Sequence, residues 1–192
     1  MKNTIIQPQL ENELFQILPL EEFHFPALYR LAMDPFLWEN HPCQDRYLRH
    51  VFKEFLKDAM NSCGAVVLKD RSANEIIGCS RYYNYDPELK SILIGYSFIG
   101  RKYWAQGVNA YMKRMMLDHI FNFVEKVYFH VDVENINSNN AMRKLPALLI
   151  GTEQKSYDDK KITINNIYLI TKDDWNAYSL LDNHNKLLID HE

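Results

Sequence analysis

Residues 91–145 switch between the two-residue repeat of a strand and the 3.6-residue repeat of a helix in a fixed order: strand, loop, helix, strand, helix. The first strand covers residues 91–98, and the loop is centred on Trp104-Ala105-Gln106-Gly107-Val108-Asn109. After Gly107 a helix carries Tyr111, Met115, His119 and Phe123 on one face with Met112, Met116 and Ile120 beside it; Lys113, Arg114 and Asp118 are its polar neighbours. Residues 126–133 form the next strand, and Asn135-Ile136-Asn137-Ser138 opens a short helix over 138–145. A glycine in such a loop lets backbone N–H groups approach a polyphosphate. The helix behind it adds unpaired N–H groups and a partial positive charge, so a pyrophosphate fits without any lysine.

The rest of the chain must supply a sheet and its cover. Residues 14–20 read as a strand, and 21–33 as a helix with Phe25, Leu28, Tyr29 and Ala32 at helical spacing and Glu21 and Glu22 in its first turn. Asp34 and Pro35 break that helix. An aromatic loop, 36–42, precedes a second helix carrying Tyr47, Val51, Phe55, Leu56 and Met60. Residues 65–68, 76–85 and 91–98 are rich in β-branched and aromatic residues and read as a three-strand antiparallel meander. Residues 148–155 and 161–171 predict a final hairpin turned by Asp158, Asp159 and Lys160. The first 12 residues and residues 173–192 read as tails, the latter with a short helix and a loose end. No repeat or linker divides the 192 residues, so one domain over 1–192 is expected.

A net charge of −3 lacks the basic field that phosphate backbones require, which argues against a nucleic-acid partner. Apolar stretches such as 92–99 are far shorter than the ~20 residues of a bilayer span. The first ten residues lack the apolar core of a secretory signal, so a cytoplasmic protein is expected. Cys43, Cys63 and Cys79 have no C-x-x-C spacing. They fit reduced, mostly buried thiols better than disulfides or a metal site.

The loop and the downstream asparagine together resemble the GNAT acetyltransferases, in particular the branch containing the ribosomal-protein N-terminal acetyltransferases RimJ and RimL. Trp104 to Asn109 lie over that family's pyrophosphate loop with Gly107 at the central glycine, while Ala105 and Asn109 depart from its commonest small residues. Asn135, Ser138, Ala141, Lys144 and Leu145 follow its second motif, with Pro146 in place of a glycine. By physics alone, Ser138 is a candidate cap for the short helix. The resemblance implies an α/β (α+β) fold: a mixed, mostly antiparallel sheet of about seven strands, flanked by helices and splayed into a V between two central strands. It also implies acetyl-CoA as co-substrate, no metal, and an amine acceptor that is a small molecule, an amino acid or a protein N-terminus. Homodimers are common among such proteins, and the tail or final hairpin would supply the surface.

The same resemblance places Phe98 and Ile99 along the pantetheine arm, Trp104, Ala105, Gln106, Gly107, Val108 and Asn109 around the pyrophosphate, and Asn135 against the pantetheine arm, which the helix carrying Ser138 and Met142 flanks. Many members carry a tyrosine at the position of Met142 to protonate the leaving thiolate. Methionine has no proton to give, which leaves Asn135, Ser138 or water to assist, or a site that works without an acid. His130 and Asp132 share strand parity, and His130 is a candidate base. Glu39, His41, Arg81, Tyr83 and Tyr96 are acceptor-side candidates. Acetyl transfer competes here with two other readings, a catalytically silent acyl-CoA-binding module and an interaction protein that keeps the fold without the ligand.

Overall fold

The computed structural model describes residues 6–157 and 161–189. Eight strands make one sheet: β1 (Leu10–Glu11), β2 (Phe15–Pro19), β3 (Ala65–Asp70), β4 (Glu75–Asp86), β5 (Ser91–Ile99), β6 (Lys126–Asp132), β7 (Leu148–Tyr157) and β8 (Lys161–Thr171). Their spatial order is β1-β2-β3-β4-β5-β6-β8-β7. Every neighbouring pair is antiparallel except β5 and β6, which run parallel. The helices are α1 (Phe25–Ala32), α2 (Arg49–Asn61), α3 (Val108–Ile120), α4 (Ile136–Met142) and α5 (Lys172–Ile189).

The sheet separates two apolar layers. Leu28, Phe52 and Leu56 of α1 and α2 pack with Val67, Cys79 and Phe98 on one face. On the other, Met112, Met116, Leu117 and Ile120 of α3 and Trp175 of α5 pack with Ile77, Tyr82, Ile94 and Val127. Alternation along each strand sends successive residues to opposite layers, and this is why β3 and β4 are apolar on both sides. Tyr82 crosses that interior: fully buried, its hydroxyl donates to the Met116 carbonyl at 2.8 Å, tying α3 to β4.

The parallel contact between β5 and β6 is short. Ladder pairing runs from Ser91 opposite Lys126 to Leu93 opposite Tyr128 and then stops. Beyond that point β5 follows β4 while β6 follows β8, so the two strands diverge in the expected V. A register shift between Cys79 and Arg81 lies opposite Tyr96, whose φ of +53° marks the bulge. A bulge adds twist and bends its strand, which here carries β5 away from β6.

Several details depart from expectation. Leu10 and Ile6, read as part of a tail, pack on the core, and Leu10 pairs with Ile17 to make β1, the strand beyond the expected seven. The other tail contains an 18-residue helix, α5, anchored by buried Trp175, whose Nε1 donates to Asp118 at 2.8 Å. The 21–33 helix begins as a 3₁₀ turn, Glu22–His24, because Pro26 in the first turn of α1 has no N–H to continue it backward. Of the face read from Tyr111, Met115, His119 and Phe123, the two rings Tyr111 and Phe123 are exposed and Met115 packs at the core's margin; the buried stripe is Val108, Met112, Met116 and Ile120, joined by Lys113 and Leu117. Asp158, Asp159 and Lys160 lie outside the described residues. Among the described residues no helix is long and apolar enough to cross a membrane.

Candidate active site

The V opens into a cleft of about 650 Å³ walled by β5, β6, α4, the first turns of α3 and the aromatic segment before α2. One end of it is built by the loop after β5. Arg101–Tyr103 forms a 3₁₀ turn, and Trp104 folds back so that its Nε1 donates to the Ile99 carbonyl at 2.9 Å. Ala105 and Gly107 both take left-handed backbone, φ +62° and +74°, and Gly107 is the residue at which such a φ is unstrained. The first internal bond of α3 is Tyr111 N–H to the Gly107 carbonyl, 3.1 Å. The Val108, Asn109 and Ala110 amides therefore have no intrahelical acceptor and emerge where the cleft ends. This is a backbone cradle for an anion at the positive end of a helix.

The long wall is the β5 edge. Past Leu93 it has no strand partner on the β6 side, so backbone groups between Ile94 and Ile99 face the opening. Phe98 and Ile99, each 6% exposed, floor this region. On the opposite wall, Asn135 caps α4 by accepting from the Ser138 amide at 3.1 Å. The proposed Ser138 cap is thus corrected: α4 starts two residues earlier than read, and Ser138 supplies the backbone donor. The helix also ends at Met142, short of residue 145. Met142 is 3% exposed and lines the cleft beside Ser138.

At the end of the cleft away from the Gly107 loop, the Tyr83 and Tyr96 rings meet edge to face at 5.1 Å. His41 accepts from the Cys43 amide at 2.9 Å and lies 3.1 Å from the Arg46 guanidinium, which stacks over Phe55 at 4.4 Å. His130 pairs with Glu153 at 2.5 Å. Burial pushes its ring pKa down against the upward pull of that carboxylate. Asp132 also lines the cleft and accepts from the Glu134 amide at 2.9 Å.

Most of the residues singled out from sequence are gathered on this cleft; three are not. Glu39 points to solvent and offers only its carbonyl, to Gln44. Gln106 bends back to the Lys102 carbonyl. Arg81 is 4% exposed behind Tyr96, 4.2 Å from its ring and bonded to Asp58 at 2.8 Å, with Nε and Nη2 lacking partners among the described residues.

Two residues that sequence reading passed over hold the site together. Asn139, 7% exposed, donates to the carbonyls of Asp132 and Asn135 and accepts from Asn166 and the Tyr168 hydroxyl, locking α4 to β6 and β8. Lys113, 4% exposed, points from α3 into the V. Its amine lies 2.5 Å from Ser97 Oγ and 3.4 Å from Ser80 Oγ, and burial pushes its pKa down to about 7. The legible signal was spacing: Lys113, Leu117 and Ile120 fall at i, i+4 and i+7 on the buried stripe.

No curated protein sequence matches this chain. Solved structures do: a GCN5-related N-acetyltransferase from Brucella melitensis (15% identity, 89% of this chain and 81% of that chain, TM-score 0.77). The microcin C7 self-immunity acetyltransferase MccE, solved with acetyl-CoA and AMP, aligns over 83% and 93% of the two chains (16% identity, TM-score 0.70). The ribosomal-protein-S5-alanine acetyltransferase from Vibrio fischeri aligns over 87% and 98% (16% identity, TM-score 0.67). Such likenesses carry the fold alone. Residues 15–146, however, match the family model described as acetyltransferase (GNAT) domain. That stretch runs from β2 through the splayed strands, the glycine cradle and α4, and with it the chain belongs to the GNAT acetyltransferase family.

Proposed function

We propose that this chain is an N-acetyltransferase of the RimJ/RimL-like branch, a single cytoplasmic domain that moves the acetyl group of acetyl-CoA to a primary amine by direct attack in a ternary complex. The observation that carries the reading is the continuity of the V with the Gly107 cradle: a strand edge without a partner leads to unpaired amides at a helix N-terminus. A pantetheine arm ending in a pyrophosphate has that shape and polarity, an amide-bearing chain followed by an anion.

Bound acetyl-CoA supplies an acyl thioester, and the chain's residues supply position and proton traffic. The Val108–Ala110 amides and Gly107 hold the pyrophosphate, with Trp104 fixing the loop to Ile99. The β5 edge near Phe98 and Ile99 aligns the arm and polarises the carbonyl with a backbone N–H. Asn135 fixes the first turn of α4, and the Ser138 hydroxyl solvates the leaving thiolate where Met142 has no proton to offer. Tyr83, Tyr96 and His41 border the acceptor amine.

Thermal unfolding with and without acetyl-CoA tests the reading. A ligand at ~100 times its Kd that binds only the folded chain adds about 2.7 kcal/mol. A rise in Tm that Gly107→Glu abolishes, followed by thiol release that depends on an added amine, supports it. A rise in Tm with no amine-dependent thiol release favours the silent acyl-CoA module, and no rise at saturating ligand sinks both.

A further inference from the structure

Lys113 is a costly residue to keep where it is. Its amine is enclosed by α3, β4, β5 and the Phe129 ring, 5.6 Å away, and no carboxylate forms an ion pair with it among the described residues. Desolvation of an unpaired ammonium favours the neutral amine. What Lys113 does have is hydroxyl contact: Ser97 Oγ at 2.5 Å, Ser80 Oγ at 3.4 Å, and 2.7 Å between the two serines. Ser97 sits at the β5 bulge with an exposed side chain on the cleft, whereas Ser80 is 1% exposed behind it. The three groups form a continuous path from the acceptor side of the cleft to an enclosed nitrogen.

This matters for a reaction whose acceptor arrives as an ammonium and must lose a proton before it can attack. The geometry points to Ser97 and Lys113 as the proton acceptor of this site: the Ser97 hydroxyl takes a proton from the acceptor ammonium while passing its own to the Lys113 amine, with Ser80 orienting both. The freed amine then bonds to the acyl carbon as the C–S bond breaks. The thiolate leaves with the second proton of the attacking nitrogen, and the proton held on Lys113 returns to solvent through Ser97. The products are the N-acetyl amine, the free thiol and one proton.

The ionisable groups around this path agree with a neutral amine. On β4 the Cys79 thiol, pushed up to about 12 by burial, stays protonated, and Arg81 adds positive charge. Arg46 and His41 before α2 and Lys144 after α4 are basic groups on the cleft. His130 and Asp132 on β6 face its other wall, Asp132 being its one lining carboxylate among the described residues.

The inference rests on the acetyltransferase reading, and the experiment separates the two. Steady-state transfer to an amine panel is followed from pH 5.5 to 9.5 for wild type, Lys113→Met, Lys113→Arg, Ser97→Ala and Ser97→Thr, with acetyl-CoA affinity measured beside it. Wild-type kcat should rise with pH through a limb near 7. Lys113→Met and Lys113→Arg should lower kcat on the order of 100-fold and lose that limb while acetyl-CoA affinity stays within about threefold. Ser97→Ala should lose activity comparably and Ser97→Thr should recover much of it, a rescue that a packing role would not produce. Lys113→Met with wild-type kcat and an unchanged limb overturns the relay and leaves acetyl transfer standing. Accumulation of an acetyl group on Ser97 or Lys113 in intact mass, without acceptor, overturns it in favour of a covalent route. A wild-type chain that neither binds acetyl-CoA nor acetylates any amine removes the acetyltransferase reading and the relay together.

Discussion

Replacing Lys113 with Met should make the protein more stable, and the gain should shrink as pH rises. An unfolded lysine holds its proton to 10.5, whereas burial brings Lys113 in the folded chain down to about 7. At about 1.4 kcal/mol for each tenfold step in acidity, that gap corresponds to about 5 kcal/mol favouring the unfolded state at low pH. Below pH 7 both states are protonated and the full penalty applies. Between pH 7 and 10.5 the unfolded chain binds more protons, so the stability of wild type rises with pH, by about 2 kcal/mol between pH 7 and 9. Methionine fills a similar volume without charge. It forfeits the contacts to Ser97 and Ser80, about 1 kcal/mol each, but leaves the serines bonded to one another. The net gain is then roughly 2–3 kcal/mol at pH 7 and close to zero at pH 9. Urea unfolding of both proteins across pH 6–9.5 reads the difference directly, since Cys79 and every other titrating group is common to the two. A difference that does not change with pH, or a destabilised variant at pH 7, would refute the argument that desolvation governs this amine.

Asn139→Ala should cost about 3–4 kcal/mol in urea unfolding, because it orphans the buried Tyr168 hydroxyl and the Asn166 amide together with two carbonyl acceptors. Gly78→Ala should cost about 3 kcal/mol or more, since a Cβ there would stand 2.4 Å from the Phe98 carbonyl beneath the cleft, and restoration of the wild-type Tm is not expected from added acetyl-CoA. Gly107→Ala should be milder, about 1–2 kcal/mol from its φ of +74°, with space for the methyl, and acetyl-CoA should still raise its Tm where it fails to raise that of Gly107→Glu. Tyr82→Phe should cost about 1 kcal/mol by removing the buried hydroxyl's hydrogen bond to the Met116 carbonyl.

The sequence by itself determined the element order from β2 to β8, the meander, the glycine loop before α3 and a share of the residues that line the cleft. Those signals are local: strand and helix periods, a glycine that must take positive φ, and an asparagine able to cap the turn that follows it. What the tertiary structure decided depends on pairs distant in sequence. Leu10 becomes strand only because Ile17 is beside it, and the tail helix is fixed by Trp175 reaching Asp118. Arg81 is held off the cleft by Asp58 and Tyr96, although its strand position also allowed an inward role. Met112, Met116 and Ile120 were legible as apolar, yet which flank of α3 would be buried beside them was set by the sheet it covers, and that choice alone carried Lys113 inside to meet Ser97 and Ser80. A lysine on a helix reads as solvated surface; only packing against the splayed strands makes it a desolvated amine on the wall of the cleft.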